Sequence, residues 1–257
     1  MDHIVLITGA TSGIGKATAQ KFAKKGWKLI ITGRRKEKLL QFAEELKSKY
    51  AISVTPLVFD VRNFSEVEQA WNSLDSEWKN VDVLINNAGL ARGFNPIHEG
   101  SIDDWNEMID TNLKGLLYMT RVVSPSMVNR KKGHIINLCS TAGVDVYPNG
   151  NVYSATKFGV DALTKSMRID LLKHNVRVSQ VSPGHVEETE FALVRFRGDK
   201  ERSKIYEDFT PLKARDVAKT IYFIATQPPH VNIQHVLMMS TQQAGSNFID
   251  RSGRRDL

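Results

Sequence analysis

A doubly wound α/β fold, one parallel sheet covered by helices on both faces, is the architecture this chain predicts, and three observations predict it. Short β-branched apolar runs recur along the chain, longer stretches with helical spacing separate them, and the first run leads through a glycine-rich loop into a helix. The runs are IVLI at 4–7, LIIT at 29–32, SVTPLVF at 53–59, VLIN at 83–86, HIINL at 134–138, RVSQV at 177–181 and VLMM at 236–239, enough for a seven-stranded sheet. Most lack polar alternation, which means burial on both faces. Right-handed crossovers then put ligands beyond the carboxyl ends of the strands.

The helices between the strands carry their own boundary signals. Gly26 follows the first helix where a left-handed cap is wanted, and Asn63 with Glu66, like Ser101 with Asp104, reads as a capping box. No repeat, low-complexity tract or Pro/Gly linker divides the chain, so residues 1–257 are read as one domain. The stretch near 187–210 combines charge and aromatics without a strand period, just past a strand end, and is read as a lid.

Composition narrows the class. With 257 residues, 41% hydrophobic and 25% charged, the chain can bury an ordinary core, and disorder and coiled coil are excluded. No stretch approaches the ~20 consecutive apolar residues of a membrane helix, and the N-terminus lacks a signal-peptide layout, so no membrane association and a cytoplasmic address are expected. The 35 basic against 28 acidic residues leave a net charge of +7, spread over short clusters with interleaved acids; no nucleic-acid partner is expected. The single cysteine, Cys139, excludes an internal disulfide and reads as a buried thiol, and no metal site is expected.

After the first strand stand Gly9, Thr11, Ser12, Gly13, Ile14 and Gly15, leading into a helix that begins near Lys16. Glycines here permit a tight turn and close approach of backbone to a pyrophosphate, and the helix N-terminus offers free N–H groups to the anion. The second strand ends at Gly33-Arg34-Arg35, where a cofactor with a free 2′-hydroxyl would meet a carboxylate. Two guanidiniums in its place favour a 2′-phosphate and so NADP(H). Asp60 and Val61 end the third strand and are candidates for the adenine.

The chemistry lies further along. Asn86-Asn87-Ala88-Gly89 ends the fourth strand, Asn112 lies in the following helical region, Ser140 follows the fifth strand, and Tyr153 and Lys157 share the next helix one turn apart. A lysine charge beside a phenol favours the phenolate and lowers a pKa that starts near ~10. Hydride transfer to a nicotinamide needs a matching proton transfer at oxygen, which such a tyrosine can perform while Ser140 holds the substrate oxygen. His134 and His235 read as sheet residues, and His185 has no assigned role.

TGATSGIG, NNAG, the serine and YSATK stand together in an order that resembles the short-chain dehydrogenase/reductase superfamily, over essentially the whole chain. The resemblance implies a Rossmann-type domain in which Tyr153 is the general acid/base, Lys157 lowers its pKa and binds the nicotinamide ribose, and Ser140 positions the substrate. It further implies that Asn112 supports a water-linked proton relay and that Asn87 contacts the adenosine ribose. Pro183, Gly184, Val186 and Thr189 would orient the carboxamide, although VEET carries one residue more than the commonest spacing. A homotetramer is the superfamily's common assembly, for which the apolar stripe at 161–172 would serve.

NAGLARG, GHIINLCSTAG and TEFALVRFRGDK are similar to the NADP-dependent 3-hydroxy acid dehydrogenases acting on serine and allo-threonine. That implies a substrate carboxylate one carbon from the oxidised carbinol and a cation to hold it. Arg195 is the candidate, with Arg92 and Arg197 as competitors. A broad carbonyl reductase, a 3-ketoacyl carrier-protein reductase and a non-catalytic NADP(H)-sensing protein are the alternatives.

Overall fold

The computed structural model describes residues 3–255. Its chain alternates strand and helix from the start: β1 (Ile4–Ile7), α1 (Gly13–Ala23), β2 (Lys28–Gly33), α2 (Lys36–Tyr50), β3 (Val54–Val58), α3 (Phe64–Asn72) and β4 (Val83–Asn86). There follow α4 (Ile102–Ile109), α5 (Gly115–Arg130), β5 (Gly133–Leu138), α6 (Asn151–Leu171) and β6 (Val176–Pro183). Then come β7 (Val186–Glu187), α7 (Phe191–Arg195), β8 (Leu212–Lys213), α8 (Ala214–Ala225) and β9 (His235–Met238). The seven expected strands form one sheet in the order β3-β2-β1-β4-β5-β6-β9, every neighbouring pair parallel. The two-residue strands β7 and β8 form a separate pair that the sequence did not reveal, because two residues carry no period.

Alternation along the buried strands divides the core into two layers. Val5 and Ile7 of β1 face Phe22, Leu39, Phe42 and Ile221 of α1, α2 and α8, while Ile4 and Leu6 face Val67, Met119, Val123 and Val160 of α3, α5 and α6. Central strands are closed on both sides, as their unbroken apolar sequences require, whereas β9 is an edge strand with Leu237 44% exposed.

The caps work with one variation each. Asn63 Oδ1 accepts from the Ser65 and Glu66 amides at 3.1 and 3.4 Å, but the Glu66 carboxylate reaches past it to the Asp60 amide at 2.9 Å. Ser101 Oγ caps the Asp104 amide at 3.4 Å, while the Asp104 carboxylate is taken by Arg197. Gly26 adopts φ +76°, the left-handed turn expected of it.

Order reversal between β2-β1 and β4 creates the topological switch point, and the loops after β1 and β4 meet there. Between α4 and α5 the chain makes one π-helical turn, Asp110–Lys114, that carries Asn112. Such turns frequently mark functional sites and leave no trace in hydrophobic period.

Candidate active site

Every expected site residue except Asn112 lines one cleft of about 810 Å³ at the carboxyl ends of the strands. The glycine loop is cut to fit a close backbone approach. A Cβ on Gly15 would lie 2.3 Å from the Gly9 carbonyl and 2.5 Å from Asn87 Nδ2, and Gly9 itself takes φ +66°. Ser12 is the N-cap of α1 without using its side chain as a cap, so the helix start presents uncapped N–H groups to the cleft. These features fit a dinucleotide pyrophosphate. Thr8, which carries no motif signal in the sequence, locks the two loops together: its Oγ1 accepts from the Asn87 and Ala88 amides at 3.0 and 2.9 Å.

Asn87 spends both side-chain N–H groups on the Thr8 and Gly9 carbonyls, 2.8 and 3.1 Å, and so braces the loop from the β4 side. Arg34 reaches Asp60 at 3.3 Å, and Arg62 grips the same carboxylate with Nε and Nη2 at 2.9 and 2.6 Å. Arg35 donates to Thr11 Oγ1, to Ser12 Oγ and, at 2.6 Å, to Glu190 Oε2. Glu190 had not been singled out in the sequence.

In the catalytic corner Tyr153 and Lys157 sit on the first turns of α6, 7% and 6% exposed, with Lys157 Nζ 5.8 Å from the phenol ring. Ser140 Oγ accepts from the Ala142 amide at 3.1 Å and lies beside the Tyr153 hydroxyl. The phenol is not lowered, contrary to the sequence expectation. Burial pushes it above its ordinary value and neighbouring Tyr147 adds to this, while Ser140 and the charge of Arg195 pull it back. Burial also pulls the Lys157 ammonium down, and its Nζ donates to the Leu138 carbonyl at 3.0 Å. Helical spacing gives adjacency but says nothing of desolvation.

Asn112 stands behind this corner and not in it. Its amide receives from the Leu90 backbone N–H at 2.9 Å and donates to the Leu90 carbonyl and Thr156 Oγ1 at 2.9 and 3.0 Å. A Cβ on Gly89 would come within 3.3 Å of Asn112 Oδ1 and 3.5 Å of Lys157 Nζ, so glycine there keeps the three groups close.

The three arginines separate cleanly. Arg92 pairs with Glu107 and donates to the Val194 carbonyl, and Arg197 is 63% exposed on Asp104. Arg195, the last residue of α7, is 7% exposed and turned into the cleft. Its Nε donates to the Gly93 carbonyl at 3.1 Å and its Nη1 to Tyr147 Oη at 2.9 Å, with no partner on Nη2 among the described residues. The guanidinium lies over Phe94, Tyr147 and Tyr153, 4.6, 5.4 and 5.9 Å from the ring centroids. Phe94 and Tyr147 escaped the sequence reading because nothing in their neighbourhoods marks them; only the fold brings positions 94, 147 and 195 together.

Beyond β6, in the VEET segment, Glu188 takes the left-handed φ of +60°. This turns Thr189 toward the phosphate loop, where its Cγ2 lies 3.1 Å from the place a Cβ on Gly13 would occupy. His185, left without a role, lines the cleft, stacks edgewise on Tyr206 and Phe209, and is held neutral by burial. Cys139 is buried, its thiol donating to the Lys157 carbonyl at 3.2 Å and pushed up by burial, which makes it a poor nucleophile.

Comparison with known proteins gives this geometry its context. The family model for short chain dehydrogenase matches residues 3–198. The chain is 48% identical to the NADP-dependent 3-hydroxy acid dehydrogenase YdfG of Salmonella typhi over 242 residues, 94% of this chain and 96% of that one. It is 46% identical to sulfoacetaldehyde reductase 2 of Chromohalobacter salexigens over 254 residues, 98% of this chain and 100% of that one. Among solved structures, the closed form of serine dehydrogenase complexed with NADP+ superposes with a TM-score of 0.90 at 45% identity, covering 95% of this chain and 97% of that one. Serine dehydrogenase from Escherichia coli superposes with a TM-score of 0.81 at 42% identity, covering 94% of this chain and 99% of that one. On the matched family model and these identities, the chain belongs to the short chain dehydrogenase family.

Proposed function

We propose that this single-domain enzyme is an NADP-dependent dehydrogenase that oxidises the 3-hydroxyl of small 3-hydroxy acids such as L-serine or allo-threonine. The observation that carries the substrate class is Arg195: a buried cation beside Tyr153, with one amino end unpartnered, calls for a small anion. Its relatives among the 3-hydroxy acid and serine dehydrogenases support the same reading.

When bound, NADP+ supplies the acceptor for the hydride that leaves the carbinol carbon, and a cationic ring beside the reacting atoms. Gly9, Ser12, Gly13, Ile14 and Gly15 would hold its pyrophosphate, Arg34 and Arg35 its 2′-phosphate, and Asp60, Val61, Asn87, Ala88 and Gly89 its adenosine. Pro183, Gly184, Val186 and Thr189 would hold the nicotinamide end. Ser140 donates to the substrate oxygen, and Tyr153 takes the hydroxyl proton as the carbon becomes a carbonyl. The phenolate this requires is opposed by burial and by Tyr147 and favoured by Ser140 and by the charge of Arg195. Asn112 positions Leu90 and Gly89 beneath Lys157. Segment 187–210 acts as a lid over the cleft, with Arg195 already turned inward from it.

A second reading rests on the sulfoacetaldehyde reductase. Its aldehyde carries a sulfonate on the carbon next to the carbonyl, the place a 3-hydroxy acid carries its carboxylate, so the same arginine would serve either head group. Initial rates with 3-hydroxypropionate and with 2-hydroxyethanesulfonate, at equal cofactor, distinguish the two: a clear preference for the carboxylate sustains the first reading and a clear preference for the sulfonate replaces it.

A homo-oligomer belongs to the proposal, supported by Ile169 and Leu172, each 76% exposed at the end of α6, with Phe158 and Leu117 at 42% and 40%. A cytoplasmic location belongs to the proposal as well. No helix among the described residues is long and apolar enough to cross a membrane.

A further inference from the structure

Glu190 occupies an unexpected place. Its carboxylate lies 2.6 Å from Arg35 Nη1 and 3.6 Å from Lys38 Nζ, in the cleft at the end of β2 where the cofactor's 2′-phosphate is expected. Arg35 has five N–H groups. Nε and one on Nη2 go to Thr11 Oγ1, the other on Nη2 to Ser12 Oγ, and one on Nη1 to Glu190. Both edges of the guanidinium are therefore in use, and a fork onto a phosphate needs one of them cleared. The neutral hydroxyls are compatible with an anion beside them; a carboxylate is not, and a phosphate with up to two charges outcompetes one with a single charge.

The second fact is where Glu190 sits on the chain. It is the N-cap of α7, the five-residue helix whose last residue is Arg195. The far end of that helix is stitched to residues 92–94: the Gly93 amide donates to the Arg195 carbonyl at 3.1 Å, Arg195 Nε returns to the Gly93 carbonyl, and Arg92 holds the Val194 carbonyl at 2.6 Å. The near end is tied across the cleft to α2 through Glu190 on Arg35 and Lys38. Glu188, two residues earlier, already has the left-handed backbone of a sharp bend.

We propose that Glu190 and the cofactor's 2′-phosphate compete for Arg35, so that NADP+ unties the near end of α7 and admits substrate, whereas NAD+ leaves it tied. Glu190 is on this account a positioning and selectivity residue. It makes NADP+ binding an exchange of one anion for another, and it makes the lid respond to the phosphate that distinguishes the two cofactors. Cofactor binding before substrate follows directly. The proposal rests on the placement of the 2′-phosphate at Arg35, and the controls below separate the two.

Dissociation constants for NADP+ and NAD+ are measured by calorimetry in the wild type, in Glu190→Gln and in Arg35→Ala. With its competitor neutralised, Glu190→Gln binds NADP+ about two- to five-fold tighter, the range of a partly exposed ion pair, and binds NAD+ no tighter. Amide exchange across residues 188–195 is followed in parallel with adenosine 2′,5′-bisphosphate and with adenosine 5′-monophosphate. In the wild type the bisphosphate speeds exchange and the monophosphate does not; in Glu190→Gln exchange is fast at the outset and neither nucleotide alters it. Weaker NADP+ binding in Glu190→Gln, a parallel change for both cofactors, or bisphosphate slowing the exchange overturns the proposal. Unchanged NADP+ affinity in Arg35→Ala refutes instead the placement of the phosphate, and with it the basis of the competition.

Discussion

Replacing Arg195 by methionine keeps much of its bulk against Phe94 and Tyr147 and removes its charge. At 7% exposure the guanidinium is little screened by water, so a substrate carboxylate would receive nearly the full strength of charge-assisted bonds. Each such bond contributes about 1.5–3 kcal/mol, and a two-bond clamp about 3–6 kcal/mol, which corresponds to a loss of roughly 10²- to 10⁴-fold in kcat/KM. The substitution also strips the Gly93 carbonyl and Tyr147 hydroxyl of a partner, a cost of about 1–3 kcal/mol in stability that any substrate would feel alike. The assay therefore compares 3-hydroxypropionate with 1-propanol, the uncharged alcohol of the same carbon count, in both proteins. The hydroxy acid should lose the full factor and the alcohol less than about ten-fold. Equal losses for both would mean that Arg195 only props the cleft open, and an unaffected hydroxy acid would mean that its anion binds elsewhere.

Tyr153→Phe should cut turnover by at least about 10³-fold while leaving the calorimetric affinity for NADP+ within a few-fold, since it removes only the hydroxyl that moves the proton; retained turnover would assign the acid/base role to another group. Gly15→Ala should weaken NADP+ binding by more than about ten-fold, because the added methyl would overlap the Gly9 carbonyl and Asn87 amide that shape the loop; unaltered affinity would show that the loop has room to spare. His134 is buried in β5, and desolvation, aided by Arg177, holds its imidazole at about 3. The unfolded chain takes up that proton near 6.5, so the stability lent by neutral His134 is complete above about pH 6.5 and is lost as the pH falls toward 3, by about 1.4 kcal/mol per unit. Urea midpoints at pH 7 and 4.5 should diverge less in His134→Gln than in the wild type, and an equal divergence would assign the acid sensitivity elsewhere.

How far the sequence could be read depended on the range of each signal. The sheet was legible because its strands are buried on both faces, which writes burial into contiguous residues such as Val5 to Ile7 and Leu84 to Asn86. The glycine loop and the Tyr153–Lys157 pair were legible because each depends on local spacing. The aromatic walls of Phe94 and Tyr147 were not, because they meet Arg195 only through the fold, and neither was Glu190, which looked like one more charge in a charged segment. Asn112 was found, but the π turn that lifts it onto Leu90 was not, since one irregular turn leaves the helical period intact. The direction of the Tyr153 shift escapes the sequence for a related reason: a neighbour four residues away is visible in sequence, and burial of the phenol in the folded cleft is not.

One cleft combines NADP+ dependence with recognition of a small anion beside the carbinol. The most direct test is the initial rate of nicotinamide reduction by the wild-type protein, with NADP+ and with NAD+, on 3-hydroxypropionate, L-serine and 1-propanol at mildly alkaline pH. NADP+-dependent turnover of the acids is expected at kcat/KM at least about 100-fold above the alcohol. An alcohol rate equal to or above that of the acids, or NAD+ serving as well as NADP+, would contradict it.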